Sequence, residues 1–154
     1  MTEALEAPEL LADPKFESYQ SRTVNVGLAR QEIQKRIDVT KLCLEEGLKF
    51  PCIIHPKAVI HPSALLLPGT IVLANTLIGS QVQLGYGAIV NNNAVVSHGT
   101  KVGAFSHICP GSMVASNVTI GNSCVIGMNT SIFHGIRISD NKVIANNSSV
   151  SKDD

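Results

Sequence analysis

The sequence predicts an all-β fold, a parallel β-helix of hexapeptide repeats with a short N-terminal α/β extension. First, every sixth residue from Ile54 to Val150 is aliphatic, without a slip. Second, a mostly small side chain stands four residues after each of them. Third, aromatic residues make up only 4% of the chain and Trp is absent, so the core must consist of stacked aliphatic side chains. The aliphatic positions are Ile54, Ile60, Leu66, Val72, Ile78, Leu84, Val90, Val96, Val102, Ile108, Val114, Ile120, Ile126, Ile132, Ile138, Ile144 and Val150.

A period of six residues defines the repeating unit as a short strand followed by a corner. Three such sides close into a triangular coil of 18 residues, with the aliphatic residue pointing into the prism and the small residue letting the corner close. Coils stack at about 4.8 Å, so residues 18 apart share a column. Glycine often follows the aliphatic residue directly, and we expect it there because it tolerates a positive φ. These glycines are Gly79, Gly85, Gly103, Gly121 and Gly127.

The first fifty residues lack this period, which divides the chain into an extension, residues 1–50, and a β-helix domain, residues 51–154. Residues 23–27 have the composition of a strand. Residues 29–47 space Ile33, Ile37, Leu42 and Leu44 among charged residues as an amphipathic helix does, and Gly47 predicts its end. We expect this strand and helix to lean on the first coil of the prism.

Charge and cysteine content exclude several classes of function. The formal net charge is +0 and the pI is about 7.0, so there is no basic field to attract nucleic acid. We find no secretory signal and no apolar run of membrane-spanning length, and therefore expect a cytoplasmic protein without membrane insertion. The four cysteines show no CxxC spacing and are expected to be reduced, buried side chains.

Four stretches of residues 24–152 resemble the sialic-acid and bacillosamine-type sugar O/N-acetyltransferases, which belong to the hexapeptide-repeat acyltransferases. Members join a small Rossmann-like N-terminal domain, which holds the acceptor, to a left-handed β-helix. The resemblance implies a left-handed helix here, and residues 1–50 look like a truncated remnant of that acceptor domain. The stretches are VGLAR at 26–30, FPCIIHP at 50–56, AVVSH at 94–98 and FSHICPG at 105–111.

The resemblance implies an acetyl-CoA-dependent acetyltransferase that needs no metal. Such a reaction needs a base for the attacking amine or hydroxyl and donors for the oxyanion. By resemblance, His98 is the general base, His107 contacts the thioester end of acetyl-CoA, and the backbone N–H of Ser116 faces the thioester carbonyl. Met128 and Asn146 match positions whose backbone lines the pantetheine groove. The implied acceptor is a small molecule such as an amino sugar, and the implied assembly is a homotrimer with its sites between prisms.

One position departs from the resembled pattern. Where the family usually carries an acidic residue next to the catalytic histidine, this chain has Gly99. A carboxylate there would raise the basicity of the imidazole and fix its tautomer, so we expect either a slow enzyme or a different orienting group. His134 is 36 residues after His98 and should lie two coils above it, as a solvated corner residue. Arg137 and Lys142 are candidate ligands for the phosphates of CoA.

Two other functions remain open from the sequence. A non-catalytic β-helix that serves as an assembly platform would share the repeat, and it would bind no acetyl-CoA. A gamma-type carbonic anhydrase also uses this helix, but it needs three histidines around zinc, including a pair close in sequence. The histidines at 55, 61, 98, 107 and 134 include no such pair, which disfavours a zinc enzyme.

Overall fold

Residues 33–153 form a short helix followed by a β-helix of two-residue strands. A computed structural model describes residues 33–153; the strand predicted at residues 23–27 lies outside this range. Helix α1 spans Ile33–Glu45. The strands are β1 (Ile53–Ile54), β2 (Val59–Ile60), β3 (Leu65–Leu66), β4 (Ile71–Val72), β5 (Leu77–Ile78), β6 (Gln83–Leu84), β7 (Ile89–Val90), β8 (Val95–Val96), β9 (Lys101–Val102), β10 (His107–Ile108), β11 (Met113–Val114), β12 (Thr119–Ile120), β13 (Val125–Ile126), β14 (Ser131–Ile132), β15 (Arg137–Ile138), β16 (Val143–Ile144) and β17 (Ser149–Val150).

Every third strand belongs to the same parallel sheet, which gives the prism three faces. Face 1 contains β1, β4, β7, β10, β13 and β16; face 2 contains β2, β5, β8, β11, β14 and β17; face 3 contains β3, β6, β9, β12 and β15. Paired residues are 18 apart, as in Val96 with Val114. The predicted parallel β-helix is confirmed. We call the turns that join the faces corner 1–2, corner 2–3 and corner 3–1.

The core consists of the two residue classes that the repeat predicts. The aliphatic residues from Val72 to Ile138 are buried, and so are the small residues from Thr70 to Thr130 between them. Where the small residue is Thr or Ser, its hydroxyl donates to a carbonyl of the next coil, as Ser106 Oγ does to Gly121 O at 2.7 Å. A buried hydroxyl is therefore satisfied inside the prism.

The ends of the prism differ from the expected pattern. Ile54 stands in the aliphatic series, yet its side chain is 48% exposed, while Ile60, Leu66, Ile144 and Val150 are half-buried. An inward residue is covered only when coils stack on both sides of it. The first and last coils have such a neighbour on one side only among the described residues.

The prediction that the glycines after the aliphatic residues have positive φ is wrong. Gly79, Gly85, Gly103, Gly121 and Gly127 do not have positive φ; the positive-φ positions at the corners come two residues later. The reason for glycine is space, because a Cβ on Gly103 would lie 2.4 Å from the carbonyl carbon of Gly121 in the next coil. These glycines let neighbouring coils approach each other.

We expect Gly103→Ala to lower the free energy of unfolding by about 2 kcal/mol, the usual size of an overpacking penalty, because the added methyl meets rigid backbone. The matched variant is Gly135→Asn, since Gly135 has φ +74° and open space around a Cβ, and Asn tolerates that conformation. Thermal unfolding followed by circular dichroism compares the two. Equal melting temperatures for both variants would contradict this reading of Gly103.

Helix α1 confirms the predicted helix within the described residues, and Gly47 ends it with φ +73°. Its buried face differs from the expected one, because Arg36, Thr40 and Cys43 are buried while Leu44 is 47% exposed. The Arg36 guanidinium donates to the Phe105 carbonyl and lies 5.7 Å from the centre of that ring. Burial lowers the pKa of Arg36 to about 10.

The helix therefore reaches well beyond the first coil, where it was expected to lean. Phe105 closes the third coil, at corner 3–1.

No helix within residues 33–153 has the length and apolar character needed to cross a membrane. All four cysteines are free, as expected; Cys43, Cys109 and Cys124 are buried, whereas Cys52 is half-buried. Burial raises the pKa of the Cys124 thiol, which disfavours thiolate chemistry there.

Candidate active site

Corner 2–3 carries His98 in a column of residues 18 apart. The side chain of His98 is exposed and lies in the turn between β8 and β9. Its carbonyl accepts a hydrogen bond from the N–H of Asn117 in the next coil at 2.9 Å, which fixes the turn. Among residues 33–153, no group hydrogen-bonds the imidazole of His98. The ring is therefore available to a substrate.

Ser116 and His134 continue the same column, one and two coils beyond His98. The sequence predicted that His134 is only solvated. Instead, its Nδ1 lies 2.8 Å from Ser116 Oγ, within hydrogen-bonding distance. Within the described part of the chain, the backbone N–H of Ser116 has no acceptor. The column thus combines an exposed imidazole with a free N–H in the adjacent coil, which are the two groups that acyl transfer needs.

Gly99 occupies the second position of the same turn with φ +67°. A Cβ at this place would lie 2.3 Å from Asn117 Oδ1, so any side chain requires the Asn117 amide to move. Gln81 and Asn117 lie 18 residues before and after Gly99 and have φ values of 57° and 56°. This backbone conformation therefore does not require glycine. Glycine here leaves room for the Asn117 side chain, which packs against this turn.

His107 lies on a different side of the prism. It is the first residue of β10 on face 1, half-buried, and its Nε2 is 3.1 Å from Asn91 Nδ2. Met128 and Asn146 lie at corner 1–2, next to that face. There the N–H of Met128 donates to Asn146 Oδ1 at 2.9 Å, so this N–H already has an acceptor.

The residues predicted from the sequence thus form two groups. In a triangular coil, corner 2–3 is opposite face 1, so the prism itself separates His98 from His107. His98, Ser116 and His134 share corner 2–3, whereas His107 lies on face 1, and Met128 and Asn146 lie at corner 1–2, which joins face 1 to face 2. A single chain does not bring the two histidines into one site. The nine-residue spacing of His98 and His107, half a coil, is the signal in the sequence for this separation.

Two grooves border corner 2–3, and the sequence reasoning missed both. An apolar groove of about 440 Å³ lies on face 2, with Met113, Phe133 and His134 in its lining. Met113 and Phe133 are 54% and 55% exposed. The second groove, about 490 Å³, lies on the face 3 side and is polar. Met113 stands directly before an aliphatic core residue, a position whose side chain points outward. This position is the sequence signal that could have located the apolar groove.

The basic candidates lie apart from the histidine column. Arg137 is exposed on face 3, where its backbone N–H donates to Asp153 Oδ1 at 2.8 Å. Lys142 is half-buried at corner 3–1. Within residues 33–153, no three or more His, Cys, Asp or Glu side chains form a group that could hold a metal ion.

Comparison with known proteins places these features in context. The bacterial transferase hexapeptide family (six repeats) matches residues 99–134, whereas no curated protein matches the chain. Among solved structures, PerB from Caulobacter crescentus in complex with CoA and GDP-perosamine is similar with a TM-score of 0.86 and 27% identity, over 93% of this chain and 68% of PerB.

Two further structures extend this likeness. One is a variant of the GDP-perosamine N-acetyltransferase of the same organism with CoA and GDP-perosamine, at a TM-score of 0.86 and 26% identity over 93% of this chain and 67% of that protein. The other is the acetyltransferase domain of PglB from Neisseria gonorrhoeae with acetyl coenzyme A, at a TM-score of 0.82 and 27% identity over 90% and 68%. This chain spans about two thirds of the length of each.

Proposed function

We propose that this chain, whose residues 99–134 match the bacterial transferase hexapeptide family, transfers an acetyl group from acetyl-CoA to an amine or hydroxyl of a sugar-like acceptor. The observation that carries the proposal is the likeness, over 93% of the chain, to a sugar acetyltransferase structure that contains both CoA and an amino-sugar nucleotide. The exposed imidazole of His98 beside the free N–H of Ser116 supports the same chemistry.

The proposed reaction is a direct transfer within a ternary complex. His98 takes a proton from the acceptor amine or hydroxyl as that group attacks the carbonyl carbon of the thioester. The backbone N–H of Ser116 donates to the oxyanion that forms. The C–S bond then breaks, and the CoA thiolate leaves and takes up the proton from His98. No acyl-enzyme and no metal take part.

We further propose a homotrimer whose sites form between copies. One prism keeps His98 and His107 apart. If both histidines act on the same acetyl group, corner 2–3 of one copy must lie against face 1 of another copy. Face 2 adjoins corner 2–3, and its outward Val59 and Leu77, which are 63% and 44% exposed and do not line the apolar groove, supply apolar contact area for this packing. A cyclic arrangement repeats this contact around a closed ring.

The proposed activity is tested by offering a panel of amino and hydroxy sugars as acceptors. Acetyl transfer is measured through the release of the CoA thiol. Acetyl-CoA binding is measured in parallel by calorimetry. Transfer to any member of the panel above the rate of hydrolysis supports the proposal. Absence of acetyl-CoA binding would instead favour the non-catalytic assembly protein.

Gly99→Asp is expected to raise kcat about tenfold, which corresponds to about 1.4 kcal/mol of barrier, because it supplies the carboxylate that His98 lacks. The variant is made together with Asn117→Gly, since a Cβ at position 99 meets the Asn117 amide oxygen. The rate is measured at saturating acceptor across a range of pH, against the Asn117→Gly chain.

Two controls separate charge from structure. Gly99→Asn in the same background has the same shape without the charge and should give no gain. Gly111→Asp with Asn129→Gly repeats the geometry at corner 1–2, because a Cβ on Gly111 also lies 2.3 Å from an amide oxygen, that of Asn129. An equal gain from the Asn variant would refute the orienting role of a carboxylate.

A further inference from the structure

The polar groove on the face 3 side begins directly beside Gly99. It runs along the stacked coils between the positive-φ column of corner 2–3 and the outward side chains of β6 and β9. Because Gly99 has no side chain, the Asn117 amide packs against this turn and lines the groove next to His98, the preceding residue. The residues on either side of His98 line the two grooves, since Ser97 lines the apolar groove and Gly99 lines the polar groove.

Hydrogen-bonding groups and one positive charge line the polar groove. Amide side chains come from Gln81, Gln83 and Asn117, a hydroxyl comes from Ser63, and the exposed Leu65 adds an apolar side chain. Lys101 supplies the only charged side chain of the lining, and it is exposed. Within residues 33–153, Lys101 forms no ion pair, and no carboxylate lines the groove. An ammonium among amides fits an anionic, hydroxyl-rich ligand.

The two grooves at corner 2–3 therefore differ in chemistry. The face 2 groove is lined by Val95, Met113 and Phe133, among others, and suits an apolar chain, whereas the face 3 groove suits a polar, negatively charged molecule. A ternary complex needs the donor and the acceptor on two sides of one base. The corner meets this requirement, with His98 between the two grooves.

On the basis of the proposed acetyl transfer, we infer that the polar groove is the acceptor site and that Lys101 binds an anionic group of the acceptor, a carboxylate or a phosphate. Gln81, Gln83 and Asn117 bind its hydroxyls. Acceptor selectivity then resides in face 3, and Gly99→Asp should raise the KM for an anionic acceptor even though it raises kcat at saturating acceptor.

The test measures binding by calorimetry in the presence of CoA, without turnover. The probes are glucosamine 6-phosphate, glucosaminuronic acid and glucosamine, which carries no anionic group. At least one anionic probe should bind about tenfold more tightly than glucosamine, the usual effect of one charge-assisted hydrogen bond. The phosphate and carboxylate probes distinguish the two kinds of anion.

Lys101→Gln should remove this preference, whereas Lys101→Arg should keep it. Lys57→Gln, which removes an exposed charge at corner 1–2 of the first coil, should leave it unchanged. If Lys101→Gln keeps the preference, or no anionic probe binds more tightly than glucosamine while CoA still binds, the inference is overturned and the proposed function stands. Absence of CoA binding is a separate result that contradicts the proposed function itself.

Discussion

His98→Ala is expected to lower the rate of acetyl transfer by about 10²–10⁴, the usual contribution of a general base. The affinity for CoA should change by no more than a few-fold, because a base acts on the transition state more than on the bound ground state. Steady-state kinetics and calorimetry with the same preparation give both numbers.

The control for this variant is His55→Ala at corner 1–2 of the first coil. His55 is half-buried, and its Nδ1 accepts the backbone N–H of Lys57 at 3.1 Å, so its loss removes an imidazole without touching corner 2–3 or either groove. It should leave the rate unchanged. An unchanged rate for His98→Ala as well would exclude His98 as the base.

Mixed assemblies of His98→Ala and His107→Ala chains are expected to recover about one quarter of the wild-type activity. In a ring, a site is intact when one copy supplies His98 and the next supplies His107, which random mixing of equal amounts gives with a probability of about one in four. His107→Ala alone should raise the KM for acetyl-CoA, so the assay uses acetyl-CoA well below that KM.

The mixtures are made by coexpression, and light scattering gives the mass of the assembly. A mixture of His98→Ala with His98→Gln is the control and should recover nothing, because every site then lacks the base. Activity no higher than the mean of the two single variants would show that each chain carries its own site. A fully active monomer would also contradict the shared site.

The six-residue period determined most of the β-helix without any tertiary information. A solenoid is nearly one-dimensional, since each residue contacts its own coil and the two neighbouring coils. The phase within the repeat therefore fixed whether a side chain points inward, as for Val96, or outward, as for His98. The spacing of 18 likewise placed Ser116 and His134 above His98, and the strand register confirms these columns.

The tertiary structure decided what depends on contacts between distant parts of the coil. The approach of neighbouring coils explained Gly103, and side chains of several coils formed the two grooves beside corner 2–3. The docking of α1 through Arg36 on Phe105, 69 residues later, also follows no period. The physical reason is that a repeat encodes local geometry and stacking, whereas grooves and docked helices depend on which side chains meet across the corners and faces that closure creates.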